Sequence, residues 1–355
     1  MRDFGARGDG RTNDTAAFQR ALTSLNGHAG VLFIPAGTYR LDPVPGSDTI
    51  DYSCIRHHLL LQGADNVHIQ GAGDSSVLRF GSPDHHGIRL VDVTDCSISG
   101  VRLELAEQPP LRHNRALLDV SAARNVVVAQ VTTVDSSGPG IRIDASRQVL
   151  VTRSTVDNAG TYGIELAACR QVEVSGCTVT GSRDNGIETS WVGSLMLEPQ
   201  YVRITGNTVT GSREGAGVGV VGGDQVVVHG NTVRNSYIAG LYIYARCDNF
   251  PPKHIELSGN SLTGTNSGRE SYTPGAISLH SLTKGRTSGN VVISDNTIDT
   301  TPFAGIWVGG VTPVGTTYST LESLTVSGNS ISGVGTTAID IDDKQRGQIG
   351  SLSIS

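Results

Sequence analysis

The chain has 355 residues, including 45 glycines and only 5% aromatic residues, and its 27 basic and 33 acidic residues give a net charge of −6. This balance excludes a nucleic acid partner, because contact with a phosphate backbone needs a basic stripe. The apolar stretches are too short to span a membrane as a helix, and the composition favours many short strands over packed helices.

Residues 1–45 are predicted to form an N-terminal cap. Asn13, Asp14 and Thr15 are typical of a helix start, and the apolar residues after them recur at helical spacing. Because the first coil of a stacked-strand fold has an open edge, we expect a helix over about residues 14–25 to cover it. Its apolar face would consist of Phe18, Ala21, Leu22 and Leu25.

Residues 46–355 contain a repeat. Arg124, Arg147 and Arg170 each open an alternating apolar strand, and they recur every 23 residues. Three short strands and three turns fit this length, which predicts an all-β, single-stranded parallel β-helix of about ten coils and three short sheets. We expect one domain over residues 1–355. In five successive coils an asparagine follows the first strand at the same position of the repeat. Stacked coils would place these side chains in a ladder of amides formed by Asn207, Asn231, Asn260, Asn296 and Asn329.

The cysteines are odd in number and irregularly spaced, so they form neither a CxxC pair nor a disulfide framework. We interpret them as buried free thiols. They are Cys54, Cys96, Cys169, Cys177 and Cys247.

Two stretches near the start resemble a known superfamily: Asp3 to Phe18 (DFGARGDGRTNDTAAF) and Gly30 to Tyr39 (GVLFIPAGTY). They are similar to the opening of pectin-lyase-like right-handed parallel β-helix proteins, in particular polygalacturonase-related glycoside hydrolases and tailspike-type depolymerases. The resemblance implies a right-handed β-helix and a polysaccharide substrate. The Asn-Thr-Asp, Asp-Asp, Gly-His-Gly and Arg-Ile-Lys motifs of polygalacturonases are absent at a plausible phase, so no catalytic residue is carried over.

The third strand of each coil reads Gly-Ile-x-Leu-x, in which Ile and Leu point into the core and the two x positions point outward. Carboxylates, aromatics and a histidine at these positions predict an exposed sugar-binding groove. A further acidic position, Asp184, belongs to a second line (Arg183-Asp184 and Arg213-Glu214) that we interpret mainly as cross-coil salt bridges. The predicted substrate-binding residues are Asp119, Arg142, Asp184, Trp191, Tyr242, Tyr244, His280 and Trp307.

Glu165, Glu188 and Asp144 are the predicted catalytic residues. Glu165 and Glu188 on adjacent coils would stand about 5 Å apart, as in a retaining glycosidase. Asp144 with Glu188, or Asp119 with Glu165, would instead stand about 9 to 10 Å apart and suit inversion. Glycoside hydrolysis is the first hypothesis. A polysaccharide lyase or uronate epimerase, with Ca²⁺ held by Asp119, Asp144 and Glu165, is the second, and a non-catalytic glycan-binding, adhesin or tail-fibre module is the third.

Insertions after the third strand concentrate beyond residue 188, at Trp191 to Gln200, Arg246 to Lys253, Ser281 to Thr287 and Gly309 to Thr320. Stacked insertions build a wall, which predicts a cleft between Glu165 and Trp307. Hydrolysis needs no cofactor, and the His57-His58 and His85-His86 doublets point to opposite faces of their strands, so no metal site is predicted.

The expected partner is a polysaccharide or oligosaccharide, and the sequence leaves a homo-oligomer open. A secreted or cell-surface location is expected, although the sequence has no export signal of the usual kind. The sugar, its linkage, and endo or exo action stay open.

Overall fold

The computed structural model describes residues 1–43, 56–107, 115–190, 197–244, 251–269, 274–280, 287–309, 320–342 and 349–355. The chain divides into two compact units, which are described separately. Unit 1 comprises Met1–Glu165 and Val172–Thr178, and unit 2 comprises Leu166–Gln171 and Val179–Ser355. The expectation of one domain over residues 1–355 stays a prediction.

Unit 1 begins with a short 3-10 helix (Arg2–Phe4) and contains one α-helix, α1 (Thr15–Ser24), and a second 3-10 turn (Gly73–Ser75). Its strands are β1 (Asp9–Asn13), β2 (Gly30–Ile34), β3 (Gly37–Leu41), β4 (His57–Gln62), β5 (Val67–Gly71), β6 (Ser76–Phe80), β7 (His86–Val91), β8 (Thr94–Leu105), β9 (Leu118–Ser121), β10 (Arg124–Val134), β11 (Ile141–Asp144), β12 (Arg147–Thr152) and β13 (Thr155–Asp157). Three further strands contain residues of both units: β14 (Ile164–Ala167), β15 (Arg170–Ser175) and β16 (Thr178–Thr180).

Unit 2 is made of strands in its described residues. They are β17 (Ile187–Ser190), β18 (Gln200–Thr205), β19 (Thr208–Thr210), β20 (Val218–Val221), β21 (Asp224–His229), β22 (Thr232–Arg234), β23 (Leu241–Tyr244), β24 (Lys253–Ser258), β25 (Ser261–Thr263), β26 (Gly275–His280), β27 (Thr287–Ser294), β28 (Thr297–Thr301), β29 (Ala304–Gly309), β30 (Thr320–Ser327), β31 (Ser330–Val334), β32 (Ile339–Ile341) and β33 (Ile349–Ile354).

Within each unit the described coils contribute strands to three series, and a strand pairs in parallel with its counterpart in the next coil, as β8 with β10 in unit 1 and β20 with β23 in unit 2. The fold is therefore a right-handed parallel β-helix with an N-terminal cap, as predicted. The number of sheets differs from the prediction of three. In unit 1 the long strands β8 and β10 run through the first and second series without a break, which joins those two series into one sheet.

The capping helix is confirmed. Phe18, Ala21 and Leu22 are buried, and the Phe18 ring meets the Tyr39 ring edge-on at 5.2 Å between centroids. The start of the helix differs in detail from the prediction: Asn13 Oδ1 accepts the Thr15 backbone N–H, whereas the Asp14 carboxylate accepts N–H groups from Arg7 and Gly8. Asp14 therefore ties the helix to the preceding turn instead of capping it.

The asparagine ladder of unit 2 is confirmed. In each rung the backbone N–H and the side-chain Nδ2 of one asparagine donate to Oδ1 of the next, as from Asn231 to Asn260 at 2.9 and 3.0 Å. The same pattern runs from Asn207 through to Asn329. These amides satisfy backbone groups at a bend inside the coil, where water does not reach.

Cys96, Cys169 and Cys177 are buried thiols, as predicted, while Cys54 and Cys247 lie outside the described residues. None of the helices in the described ranges is long and apolar enough to cross a membrane.

Candidate functional site

The outward positions of the third-strand series line up in each unit as the repeat predicts. In unit 1 Arg89 pairs in register with Asp119, and Asp119 with Arg142. In unit 2 the same position gives one continuous row: Glu188, Gly219, Tyr242, Ser278, Trp307 and Asp340. Adjacent members of a row stand about 4.8 Å apart, by strand spacing.

The unit 1 row alternates in charge. Arg89 Nε donates to Asp119 Oδ2 at 2.7 Å, and the two side chains are 3% and 1% exposed. Arg142 forms ion pairs with Asp144 at 3.0 Å and with Glu165 at 3.5 Å. Each of these carboxylates therefore faces a guanidinium.

His86 is the first residue of β7, the strand that contains Arg89. The Ala116 backbone N–H donates to His86 Nδ1 at 3.0 Å, so the ring proton is on Nε2. Within the described part of the chain, His86 Nε2 and Asp119 Oδ1 have no hydrogen-bond partner. Burial lowers the pKa of His86 to about 4, so the ring is neutral near pH 7.

The pKa values of Asp119 and Asp144 are shifted in opposite directions. Burial acts to raise the pKa of Asp119, but the nearby His86, Arg89 and Arg142 outweigh it and leave that pKa below its ordinary value. Burial raises the pKa of Asp144, and the charge of Arg142 opposes this without cancelling it. Of these two carboxyl groups, Asp144 is therefore the one better suited to hold a proton.

Glu188 opens the unit 2 row and is held by Asn185. Asn185 Nδ2 donates to Glu188 Oε2, and Asn185 Oδ1 accepts the Ala216 backbone N–H at 2.6 Å. The next position of the row is Gly219, where an added Cβ would lie 2.5 Å from Asn185 Nδ2. A glycine is therefore needed there for Asn185 to reach Glu188.

The far part of the unit 2 row is aromatic. Tyr242 Oη and His280 Nδ1 lie 3.1 Å apart, and the Tyr242 and Tyr244 rings stack with centroids 4.6 Å apart. The His280 and Trp307 rings follow at 5.7 Å. Burial lowers the pKa of His280, which keeps this imidazole neutral and able to accept a proton near pH 7.

The predicted exposure of the row is wrong for several of its members. Asp119 and Glu188 are each 1% exposed, and Glu165 and Tyr242 are 8% exposed, so they point away from the core and are still covered. Stacking at 4.8 Å lets long side chains cover their neighbours, which a pattern of inward and outward positions does not reveal. Tyr242 and Tyr244 also use one ring face on each other instead of both on a sugar.

Other predicted site residues have separate outcomes. Glu165 belongs to unit 1 and Glu188 to unit 2, so their pairing as acid and nucleophile stays a prediction. The Asp184 carboxylate accepts the Asn185 N–H at 3.0 Å, and the neighbouring cross-coil salt bridge forms between Arg183 and Glu214 at 2.9 Å.

Trp191 lies outside the described residues, as do most of the four insertions. The carboxylates that the sequence offered to Ca²⁺ are instead engaged by Arg89 and Arg142. In the described ranges no group of three His, Cys, Asp or Glu side chains is arranged to hold a metal ion.

Sequence reasoning missed His86 and Asn185. Both stand directly before the Gly-Ile pair of the third-strand pattern, and in each case a side-chain atom accepts a backbone N–H of the next coil, from Ala116 and Ala216 respectively. The sequence feature that could have indicated them is a polar residue at a position of the repeat where other coils have alanine, as at Ala216 and Ala239.

Comparisons with known proteins agree with this architecture. The family described as "Rhamnogalacturonase A/epimerase, pectate lyase-like" matches residues 1–242, and "Right handed beta helix region" matches residues 192–314. Mannuronan C5-epimerase AlgE2 of Azotobacter vinelandii is 35% identical over 102 residues, which are 28% of this chain and 8% of that protein.

Two solved structures share the fold along the whole chain. The A-module of mannuronan C-5 epimerase AlgE4 from Azotobacter vinelandii superposes with a TM-score of 0.67 at 18% identity, covering 100% of this chain and 99% of that one. The catalytic unit of a GH87 α-1,3-glucanase from Streptomyces thermodiastaticus gives 0.70 at 20% identity, covering 100% of this chain and 68% of that one.

Proposed function

This chain belongs to the rhamnogalacturonase A/epimerase, pectate lyase-like family, and we propose that it is an enzyme that removes the C5 proton of a uronate residue in a polysaccharide. The observation that carries the proposal is the contact between Tyr242 Oη and His280 Nδ1 at 3.1 Å. A phenol beside a neutral imidazole is an acid–base pair that can take a proton from carbon and give one back.

The proposed first step uses both side chains. His280 Nδ1 takes the Tyr242 phenol proton while the phenolate oxygen takes the C5 proton, and the charge left on C5 spreads into the sugar carboxylate. In epimerisation a proton from water then adds to the other face of C5, and the hydroxide left behind takes the proton held by His280. In elimination the C4–O bond breaks instead, the leaving oxygen takes a proton from water, the hydroxide takes the proton held by His280, and a double bond forms between C4 and C5.

The similarity to a mannuronan C5-epimerase supports this chemistry over hydrolysis, because that protein's name describes a reaction at C5. The buried ion pair of unit 1 also argues against Asp119 as the acid of a glycosidase. That acid must be protonated near neutral pH, whereas the nearby His86, Arg89 and Arg142 leave the pKa of Asp119 below its ordinary value. We also propose that the protein acts outside the cell, where large polysaccharides are encountered.

Glycoside hydrolysis is the second candidate, and Glu188 is the observation that favours it. This carboxylate is 1% exposed and stands in the same row as Tyr242, two strand steps away, or about 10 Å. In that case Glu188 would act as one of the two carboxyl groups that a glycosidase uses.

The test incubates the protein in D₂O with polymannuronate, polygalacturonate and α-1,3-glucan, with Ca²⁺ or with a chelator. We expect deuterium at C5 by NMR, or ultraviolet absorbance from a new double bond. Tyr242→Phe and His280→Gln should each lower kcat at least about 100-fold. Matched controls are Tyr201→Phe and His254→Gln, which change exposed side chains in β18 and β24 and should leave kcat unchanged.

New reducing ends with neither deuterium nor absorbance, lost in Glu188→Gln, would replace this proposal with hydrolysis. Binding to the polymers without any turnover would favour a non-catalytic glycan-binding module instead.

A further inference from the structure

The Trp307 indole lies against the backbone of its own strand. A Cβ added at Gly309, two residues further along β29, would overlap the six-membered ring of the indole. Because glycine has no side chain, the ring can rest on the strand at this position with one face toward it and the other away from it. An aromatic face held in this way is a platform for the apolar face of a sugar ring.

The neighbours of the platform are of two kinds. On one side His280 pairs in register with Gly309, and burial lowers the pKa of His280, which favours the uncharged ring. On the other side Asp340 pairs in register with Trp307, one strand step or about 4.8 Å away, and it is exposed. A carboxylate at this distance accepts hydrogen bonds from sugar hydroxyls and repels a second carboxylate.

We propose that Trp307 and Asp340 form a subsite for an uncharged sugar residue of the polysaccharide. Trp307 stands two strand steps from Tyr242, or about 10 Å, which is longer than one sugar residue, so the subsite would hold a sugar of the same polymer chain that is not the immediate neighbour of the reacting one. The inference rests on the proposed function for its class of ligand. It adds that the substrate is a heteropolymer, in which a neutral sugar lies in the same chain, close to the uronate that reacts at Tyr242.

The test measures binding without turnover. The chain has two tryptophans, so in a Trp191→Phe background the fluorescence reports on Trp307. The probes are cellohexaose, mannohexaose and xylohexaose as neutral ligands, and hexamannuronate and hexagalacturonate as acidic ones, at low salt. We expect at least one neutral probe to change the fluorescence of Trp307.

Asp340→Asn should raise the affinity for the acidic probes about fivefold, the effect of one unit charge about 4 Å from another in water, and this gain should fade at high salt. Its matched control, Asp157→Asn, changes an exposed strand carboxylate of unit 1 and should leave both affinities unchanged. The inference is overturned if no neutral probe changes the fluorescence of Trp307, or if Asp340→Asn has no effect on the affinity for the acidic probes.

Failure of the proposed function would appear in the activity of the Tyr242 variant and not in the binding measurements. If Tyr242→Phe kept full activity, the acid–base assignment would fall while the binding measurements at Trp307 would still decide this inference.

Discussion

Replacing Asn260 with alanine tests how much the asparagine ladder stabilises unit 2. Asn260 is 1% exposed, its Oδ1 accepts two hydrogen bonds from Asn231, and its Nδ2 donates to Val228 O and to Asn296 Oδ1. The Asn231 side chain keeps other acceptors, but its backbone N–H loses the acceptor that Asn260 provides. One buried N–H left unsatisfied costs about 1–3 kcal/mol, and the other lost bonds cost about 1 kcal/mol each.

We therefore expect Asn260→Ala to lower the free energy of unfolding by about 4–6 kcal/mol. The matched control is Asn329→Ala, which also removes four hydrogen bonds but from a partly exposed rung where water replaces them, so about half the loss is expected. Urea unfolding followed by circular dichroism measures both losses from the midpoints, provided that the m values agree. Equal losses below about 1 kcal/mol in the two variants would refute the reasoning.

Three further predictions concern the candidate site. Asp119→Ala leaves the Arg89 guanidinium without its carboxylate and should cost about 3–5 kcal/mol in urea unfolding, whereas a joint Arg89→Met and Asp119→Leu change should recover most of that loss. Folding lowers the pKa of Asp119, so its carboxylate stabilises the folded state at pH values above its unfolded pKa, and this stabilisation is lost as the pH falls through its folded pKa. Asp119→Asn should therefore make the free energy of unfolding depend less steeply on pH in the acid range. His86 has a folded pKa of about 4 and an ordinary value of 6.5, so it destabilises the fold progressively as pH falls between these values. His86→Asn keeps an acceptor for the Ala116 N–H, as Asn185 does for Ala216, and should remove that loss; an unchanged slope between pH 6.5 and 4 would contradict this. Gly309→Ala should displace the Trp307 indole and weaken neutral-sugar binding as much as Trp307→Ala does, and an unchanged fluorescence titration would show that the indole does not depend on this glycine.

The β-helix could be predicted from the sequence because its repeat is a property of main-chain geometry. Apolar residues alternate within each strand, and residues such as Arg124 and Arg147 recur at the start of successive strands. These two regularities fix which side chains stack, and the observed registers agree with them. The asparagine ladder follows from the same logic, since residues at one phase of a parallel stack must be neighbours. What the pattern did not predict was that β8 and β10 join two of the three series into one sheet.

The chemistry of the site could be predicted only as a set of residues, because side-chain conformation decides which of them interact. Glu165 was expected to face another carboxylate, and the structure gives it Arg142 at 3.5 Å. Tyr242 was expected to offer its ring to a sugar, and the structure turns its hydroxyl to His280 and stacks its ring on Tyr244. Both outcomes depend on rotamers and on neighbours in the next coil, which strand periodicity does not specify.

The distribution of charge along the third-strand series gives the proposed function a physical basis. In unit 1 the outward row contains the buried ion pair of Arg89 and Asp119, and the nearby His86, Arg89 and Arg142 leave the pKa of Asp119 below its ordinary value. In unit 2 the row runs from one buried carboxylate, Glu188, to neutral acid–base and aromatic side chains. A proton can be moved to and from carbon only by groups whose charge state is free to change, and this condition favours Tyr242 and His280 over the paired carboxylates of unit 1.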